Sequence, residues 1–328
     1  MPPSLFRTVY ICPYIYTKNL FELLLPDKKK MCHRNNTITI RMPLFLIFLL
    51  KAAAYKPLPK QRISLSPLRS TTSSVDEFVE MKETYERLAS RVVNAIEGRK
   101  EPIWICIAGG PGSGKSTLSQ AVVRCCKEMY KVPSVVLPMD GFHYSKAELC
   151  RLDPPNAASF LPRRGAPYTF DAEGFYNALK QAKSTGAAQL PTYSRELSDP
   201  VPGGAVLEPT HRIIFVEGNY LLLGALSGKN KDLKTSLSGD EETEAARWRP
   251  LLPLFDETWF VAPPKGVEEQ RRRLVERHLE TWSAEKTAMW QATTAREGAE
   301  KRTNFNDIPN AHLCEKCREH ADLVIDSI

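Results

Sequence analysis

The chain has 328 residues, a length that accommodates one large domain or two modest ones. Its formal charge of +7 is unevenly distributed, because residues 1–75 carry twelve Lys or Arg against two acids and residues 76–328 therefore sum to −3. A nucleic-acid-binding domain carries its positive charge on the folded part, so this distribution argues against nucleic acid as a partner.

Residues 1–75 form a basic, acid-poor leader that ends in a Ser/Thr-rich stretch. This composition is typical of a transit peptide for a plastid or a mitochondrion. The longest apolar run, residues 42–50, is too short for a membrane span, which needs about 20 residues, so we expect no stable membrane insertion. Two alternatives stay open: the run is a signal-peptide core before Ala52-Ala53-Ala54, or the leader is a mispredicted start and the protein is cytoplasmic.

The folded domain is predicted over residues 76–328. It opens with a helix, because Ser74-x-x-Glu77 is a capping box and apolar residues recur at helical spacing from Phe78 to Ile96. An apolar strand at 103–108 and a helix at 115–130 follow.

The segment between that strand and that helix is a phosphate-binding motif. It matches G-x-x-x-x-G-K-S in the strand–loop–helix context that a P-loop requires, and it reads Gly109, Gly110, Pro111, Gly112, Ser113, Gly114, Lys115, Ser116, Thr117. Its backbone N–H groups and the positive end of the helix bind an anion. Lys115 would reach the β- and γ-phosphates, and the Ser116 hydroxyl would ligate Mg²⁺. The motif predicts a nucleoside triphosphate with Mg²⁺ as the ligand.

Further apolar strands are predicted at 133–139, 212–217, 257–261 and 322–325, with helices at 171–183 and 267–281. Strands that alternate with helices imply βαβ units and a parallel sheet covered on both faces. Ligands of such sheets bind beyond the carboxyl ends of the strands. The polar stretch 227–246 has no periodicity and is predicted to be an exposed loop.

Two acids fall at those carboxyl ends. Asp140 follows the second strand, where a carboxylate would face the γ-phosphate and accept the proton of an attacking hydroxyl; a helix cap or a water-mediated Mg²⁺ contact is the alternative. Glu217 ends the third strand and is the expected support of the metal, with a salt bridge as the alternative. His143 and Tyr144, shortly after the predicted base, are assigned to the acceptor.

Arginines supply the candidate cations of the site. Residues 163–171 and 191–200 mix arginines, aromatics and acids in predicted loops, as a polar acceptor pocket would, and Arg164 is assigned to it; ordinary connecting structure is the alternative. The helix after the fourth strand carries Arg271, Arg272, Arg273 and Arg277. We assign to Arg277 the role of closing over the phosphates, against the alternative of a solvated helix face.

Cys314-x-x-Cys317, flanked by His312 and His320, is half of a four-ligand zinc site with no second cysteine pair nearby. Surface thiols are therefore the default interpretation.

In this order the P-loop, MDGFHY, RRGAPYTFD, PTYSRELSDPVPGG and FVEGNYLLL resemble the phosphoribulokinase/uridine kinase family, in its uridine kinase-like and pantothenate kinase-like branch. The resemblance implies an α/β P-loop sandwich of three layers, with a mainly parallel five-stranded sheet in the order 2-3-1-4-5. It implies ATP and Mg²⁺, Asp140 as catalytic base and Glu217 as metal support. It also places Tyr193 and Arg195 at the acceptor, the Arg277 helix as a lid, and Asn310 near the adenine.

The expected function is an ATP-dependent kinase that phosphorylates a hydroxyl of a small nucleoside, pantothenate-like or sugar acceptor. The alternative is a P-loop ATPase with a conformational output and no small-molecule acceptor. The sequence leaves the acceptor open, and the oligomeric state open between a monomer and a homodimer.

Overall fold

The computed structural model describes residues 74–154, 158–227 and 239–327, together with short strands at 6–9, 33–34, 37–38, 40–43 and 61–63. The chain divides into one unit at Met1–Pro59 and a second at Lys60–Ile328. In the first unit, β1 (Phe6–Val9), β2 (His33–Arg34), β3 (Thr37–Ile38) and β4 (Ile40–Pro43) form the antiparallel pairs β1–β4 and β2–β3. Most of the predicted leader, including the alanine triplet and the Ser/Thr-rich stretch up to residue 73, lies outside the described residues. Its targeting role stays a prediction.

The second unit is organised around a parallel sheet. Its strands are β5 (Gln61–Ile63), β6 (Ile103–Ala108), β7 (Ser134–Pro138), β8 (Ala188–Ser194), β9 (Asp199–Leu207), β10 (Ile213–Gly218), β11 (Glu257–Ala262) and β12 (Leu323–Asp326). Among the described residues, six of them form one sheet in the order β5-β12-β11-β6-β10-β7. Counted from β6, the five main strands have the predicted order 2-3-1-4-5. The short strand β5 adds an edge beside β12 that the sequence did not predict.

Helices cover both faces of the sheet. In chain order they are α1 (Ser74–Ala95), α2 (Lys115–Glu128), α3 (Lys146–Leu152), α4 (Ala172–Thr185), α5 (Gly239–Trp248), α6 (Val267–Leu279), α7 (Ala284–Met289), α8 (Ala295–Arg302) and α9 (Ile308–Glu315). A π-helical turn, Thr303–Asp307, joins α8 to α9. Short 3₁₀ turns lie at Met139–Phe142, Pro167–Thr169, Leu223–Leu226, Arg249–Leu254 and Arg318–His320.

The alternation of side chains along β6 explains the three layers. Ile103, Ile105 and Ile107 belong to a buried cluster with residues of α1 and α2, such as Leu88 and Leu118. The intervening residues of β6 belong to a second cluster, formed with residues of α4, α5 and α9. A strand buried on both faces is continuously apolar, and all six residues of β6 are buried. No described helix is long and apolar enough to cross a membrane.

Two predicted loops are partly regular structure. Residues 239–246, predicted as loop, belong to α5, because Ala245 and Trp248 bury one face of an otherwise polar helix, and Trp248 packs edge-on against Phe170. Residues 228–238 of the same predicted loop lie outside the described residues. The stretch 191–200, also predicted as loop, contributes to the antiparallel hairpin β8–β9. The prolines within this hairpin argue against strands in a sequence-based prediction, although edge strands tolerate proline.

Candidate active site

The P-loop lies between the carboxyl end of β6 and the amino terminus of α2, as predicted. Gly112 and Gly114 have φ of 75° and 90°, a left-handed conformation that glycine adopts without steric cost. The first turn of α2 carries no acid, so nothing there opposes an anion at the positive end of the helix. The Ser113 hydroxyl is buried without a hydrogen-bond partner among the described residues. These features fit a phosphate cradle.

Helices α6 and α9 form walls of this loop. A Cβ built on Gly110 would lie 2.7 Å from Gln270 Nε2 of α6 and 3.1 Å from the Ala311 Cα of α9. A Cβ on Gly112 would lie 2.9 Å from the Leu274 Cγ, also on α6. The loop therefore needs glycine both for its backbone turn and for the close approach of its neighbours. The sequence showed the glycines but not these walls.

Lys115 and Glu217 face each other at the centre of the site. The Lys115 Nζ lies 3.8 Å from the Glu217 Oε1, and both side chains are buried. Lys115 also donates a hydrogen bond of 3.4 Å to the Gly110 carbonyl. Burial raises the pKa of Glu217, the Asp140 charge raises it further, and the Lys115 charge and a hydrogen bond with Ser116 lower it. The structure thus joins the predicted phosphate-binding lysine to both predicted metal-site residues.

Strand register brings Asp140 to the same place. Glu217 on β10 pairs with Pro138 on β7 and with Ile107 on β6, so Asp140, two residues after Pro138, lies beyond the same sheet edge as the P-loop. The Asp140 side chain is exposed, and its carboxylate makes no hydrogen bond or ion pair with the described residues. A free carboxylate beside the phosphate cradle is placed to accept a proton from an attacking hydroxyl.

Aromatic rings assemble next to Asp140. The His143 Nδ1 lies 2.8 Å from the Asp140 carbonyl oxygen, and the His143 ring packs 3.9 Å from the Phe170 ring and 4.8 Å from the Tyr193 ring. Burial lowers the pKa of His143 and raises that of Tyr193. Both groups therefore stay neutral near pH 7. The rings of His143 and Tyr193, hereafter the acceptor wall, lie next to the predicted base.

Arg164 fastens this wall rather than presenting a free cation. Its guanidinium pairs with Asp199 at 2.6 Å, donates to the carbonyl oxygens of Tyr144 (2.8 Å) and Ser198, and lies over the Tyr193 ring. Burial raises the pKa of the Tyr144 hydroxyl. These bonds give Arg164 a positioning role in the wall, and the acceptor contacts assigned to Tyr144 and Arg164 stay predictions.

The arginines of α6 differ in their hydrogen-bond partners, and Arg277 stands apart from the other three. Arg271 donates to the Asn304 Oδ1 at 2.9 Å, and Arg272 and Arg273 both donate to Glu269. Arg277 is half-buried and makes no ion pair or hydrogen bond with the described residues.

Two further arginines contribute to the field at Arg277. Its pKa is lowered by burial first and then by the Arg195 charge, the charges of Asp307 and Asp140 raise it, and the Arg302 charge lowers it. Arg302, at the end of α8, is a site candidate that sequence reasoning missed, because no motif contains it. Unpaired cations held together in this way suit a polyanionic ligand.

No family model matches the chain. A Schizosaccharomyces pombe protein named "Putative uridine kinase C227.14" is 33% identical over 248 residues, which span 75% of this chain and 91% of that protein. The chain belongs to the uridine kinase-like group of P-loop kinases.

Two other similarities agree with this assignment. A pantothenate kinase of Lacticaseibacillus casei is 34% identical over 137 residues, which span 40% of this chain and 42% of that protein. A solved structure described as a "putative fructose transport system kinase", from Silicibacter sp. TM1040, aligns with a TM-score of 0.57 and 28% identity. That alignment covers 74% of this chain and 98% of the other. The P-loop kinase fold and the family resemblance are confirmed.

Kinases of this fold use ATP, and typically Mg²⁺, and the residues present here fit both. Mg²⁺ at nucleotide sites is held by one or two protein oxygens together with substrate phosphates. Ser116 and Glu217 offer such hard oxygen donors, and interaction with Ser116 lowers the pKa of Glu217. Among the described residues, no group of three or more His, Cys, Asp or Glu is placed to hold a metal without a nucleotide. The metal would therefore be bound jointly by protein and phosphate.

The remaining candidates lie near this P-loop kinase site or behind it. Asn310 is buried on α9, next to Ala311 and about 4.0 Å from a Cβ built on Gly165; its contact with adenine stays a prediction. Cys314 and Cys317, predicted as surface thiols, are instead buried, because they lie on the inner face of α9 and its C-terminal turn. Burial raises the pKa of both thiols, so neither is a reactive thiolate.

Proposed function

We propose that the protein is an ATP-dependent kinase that transfers the γ-phosphoryl group to a hydroxyl of a small metabolite. One observation carries the proposal: an unpaired carboxylate, Asp140, lies beside the Lys115–Glu217 pair at one end of a P-loop kinase sheet. A switch or mechanical ATPase needs to position water, whereas a kinase needs a base beside a separate acceptor wall. His143 and Tyr193 form such a wall here.

Each residue has a defined part in the proposed reaction. Lys115 would leave Glu217 for the β- and γ-phosphates, while Ser116 and Glu217 hold Mg²⁺, which neutralises phosphate charge when bound. Asp140 would accept the proton of the acceptor hydroxyl as that oxygen attacks the γ-phosphorus. Arg277 would stabilise the charge on the transferred group. Phosphoryl transfer needs little beyond positioning and charge neutralisation, and these groups supply both.

The acceptor is proposed only by class. The named relatives include a uridine kinase and a pantothenate kinase, so a nucleoside, a pantothenate-like compound and a sugar form the starting panel. All three classes carry a primary hydroxyl that an exposed carboxylate can deprotonate during attack.

The test is a kinase assay on residues 60–328 with Mg-ATP and this panel, in which ADP release and product mass are followed together. We expect acceptor-dependent ADP and a product heavier by one phosphoryl group. Asp140→Asn should retain ATP binding and lower kcat by at least about 10²-fold, the contribution of a positioned base. Asp240→Asn, on the exposed start of α5, is the matched control. ADP release without a phosphorylated product would overturn the proposal in favour of an ATPase.

We also propose that the leader directs the protein to a plastid or a mitochondrion, on the strength of its basic, acid-poor composition. A fluorescent protein fused behind residues 1–75 tests this proposal. Diffuse cytoplasmic fluorescence would contradict it and favour a start codon further along the chain.

A further inference from the structure

The π-helical turn Thr303–Asp307, hereafter the strap, connects α8 to α9 and has an unusual set of contacts. π-Helical turns are rare and frequently lie at functional sites. Three of the five strap residues are buried: Thr303, Asn306 and Asp307. Buried polar groups are normally hydrogen-bonded. The Thr303 hydroxyl and the Asn306 Oδ1 lack a partner among the described residues, and the bonds that the segment does make reach two different parts of the site.

One side of the strap is bonded to α6, the helix that carries Arg277. The Asp307 Oδ2 lies 2.7 Å from the His278 Nε2, and both side chains are buried. Burial lowers the pKa of His278, so the neutral ring donates Nε2–H to the carboxylate near pH 7. A second bond of 2.9 Å joins the Asn304 Oδ1 to Arg271 on the same helix. His278 directly follows Arg277, so the anchor and the proposed phosphate-binding cation belong to one helical turn.

The other side of the strap is bonded to the segment that fastens the acceptor wall. The Asn306 Nδ2 donates a hydrogen bond of 2.7 Å to the Arg164 carbonyl oxygen. Arg163 donates to the Phe305 carbonyl oxygen, and its guanidinium lies 5.6 Å from the centre of the Phe305 ring. The Arg164 side chain in turn lies over the Tyr193 ring of the wall.

The four bonds divide between the two sides within a single turn. Residues 304 and 307 are tied to α6, and residues 305 and 306 to residues 163 and 164. Coupling between sites is carried by packed side chains and hydrogen-bond networks, and a turn that is bonded on both sides offers such a connection.

We propose that the strap couples the acceptor wall to α6, with Asn306, Asp307 and His278 as positioning residues that set the place of Arg277. Filling of the acceptor site then fixes Arg277 over the γ-phosphate, and an empty site leaves it less well placed. This inference rests on the proposed kinase function for its catalytic consequence. The mechanical link itself does not depend on it.

The first measurement separates coupling from simple structural support. Asn306→Ala removes the bond to residue 164 and leaves His278–Asp307 in place. We expect kcat to fall by about 10–100-fold, the scale of a misplacement of about 1 Å, with the KM for ATP changed less than about twofold. His278→Ala should do the same, and His278→Gln, which retains a donor near the Nε2 position, should recover most of the loss.

Arg296→Ala is the matched control. Arg296 on α8 pairs with Glu276 on α6 at 3.1 Å, so it also contacts α6, but through an exposed pair outside the strap. This variant should keep the kcat of the wild type. Equal losses in Arg296→Ala and Asn306→Ala would overturn the strap as the coupling element.

Hydrogen exchange supplies a measurement that needs no acceptor. Asn306→Ala should accelerate amide exchange in α6 (residues 267–279), although Asn306 is bonded to residue 164 and to no residue of α6 in the described structure. Faster exchange confined to residues 163–165 and 303–307 would overturn the coupling. Faster exchange in α6 from an enzyme without any phosphorylated product would retain the link and reject the proposed kinase function. If Asn306→Ala does not fold, Arg163→Gln cuts the same side of the strap at a partly exposed position.

Discussion

The Lys115–Glu217 pair makes a prediction about stability as well as activity. Lys115→Met keeps the apolar stem of the side chain and removes its charge. Glu217, which is 8% exposed, then loses the cation 3.8 Å away and keeps Asp140 as a like charge nearby. A buried carboxylate that has lost its ion-pair partner is strongly destabilising. We therefore expect Lys115→Met to lower the free energy of unfolding in addition to abolishing ATP binding.

Protonation of Glu217 sets an upper bound on this loss. A carboxyl group with an ordinary pKa of 4.5 costs about 3 kcal/mol to protonate at pH 7, at about 1.4 kcal/mol per pH unit. The folded variant can always protonate Glu217, so the uncompensated charge lowers the free energy of unfolding by no more than this amount. At pH 5.5 the same cost is about 1 kcal/mol. The variant binds an extra proton when folded, so its stability rises as the pH falls from 7 towards 5.

The double variant Lys115→Met/Glu217→Gln isolates the charge. It should be more stable than Lys115→Met by up to about 3 kcal/mol at pH 7 and by about 1 kcal/mol at pH 5.5, measured by urea denaturation. In thermal unfolding the gain at pH 7 is about 6–12 °C for a domain of this size. Arg272→Met, which breaks an exposed pair with Glu269, is the control and should cost less than about 1 kcal/mol. If the second substitution gives no gain in stability at pH 7, or a gain that does not shrink on acidification, then an uncompensated Glu217 charge does not destabilise Lys115→Met.

Three other predictions address the metal, the leader and the P-loop. Glu217→Gln should raise the Mg²⁺ concentration needed for half-maximal turnover. In the wild type this concentration should increase on acidification, and it should do so at a pH above the ordinary carboxyl range because burial raises the pKa of Glu217. In the variant it should not depend on pH in that range. A chain that begins at residue 64 lacks β5, and its free energy of unfolding should be about 1–3 kcal/mol lower than that of a chain that begins at residue 60, because a few backbone hydrogen bonds are lost. Equal urea midpoints would contradict the pairing of β5 with β12. Gly112→Ala should lower the free energy of unfolding by at least about 1–2 kcal/mol and weaken ATP binding, measured by calorimetry, because Gly112 has a positive φ and Leu274 lies close to it. Gly239→Ala, which has open space around it, should be tolerated.

Much of the fold was predictable because it depends on local patterns. The observed β6 matches its predicted bounds, and the other four main strands differ from theirs by one residue at one or both ends. Buried parallel strands are apolar runs between turns, which a sequence displays directly. The strand β5 was hidden because three residues between polar neighbours carry no such pattern. Helix α5 was hidden because only Ala245 and Trp248 of its polar sequence are fully buried.

The phosphate half of the site was predictable for a related reason. Lys115, Asp140 and Glu217 each follow or end an apolar strand, and the parallel topology brings those strand ends together. The arginines were not distinguishable in this way. Arg271, Arg272, Arg273 and Arg277 look equivalent in sequence, and only their partners show that Arg277 alone of the four is unpaired among the described residues.

The acceptor wall was least accessible to sequence because its contacts join residues that are far apart in the chain. Arg164 meets Asp199 across 35 positions and the Asn306 side chain across 142. No motif spacing encodes such distances, so the sequence does not show that the Arg164 Nη atoms bond Asp199 and the carbonyl oxygens of Tyr144 and Ser198. The same long-range contacts determine the shape of the wall, and the shape selects the acceptor. Relatives that share the phosphate residues can therefore differ in acceptor, and the residues to exchange between them are those around Tyr193 and the strap rather than those of the P-loop.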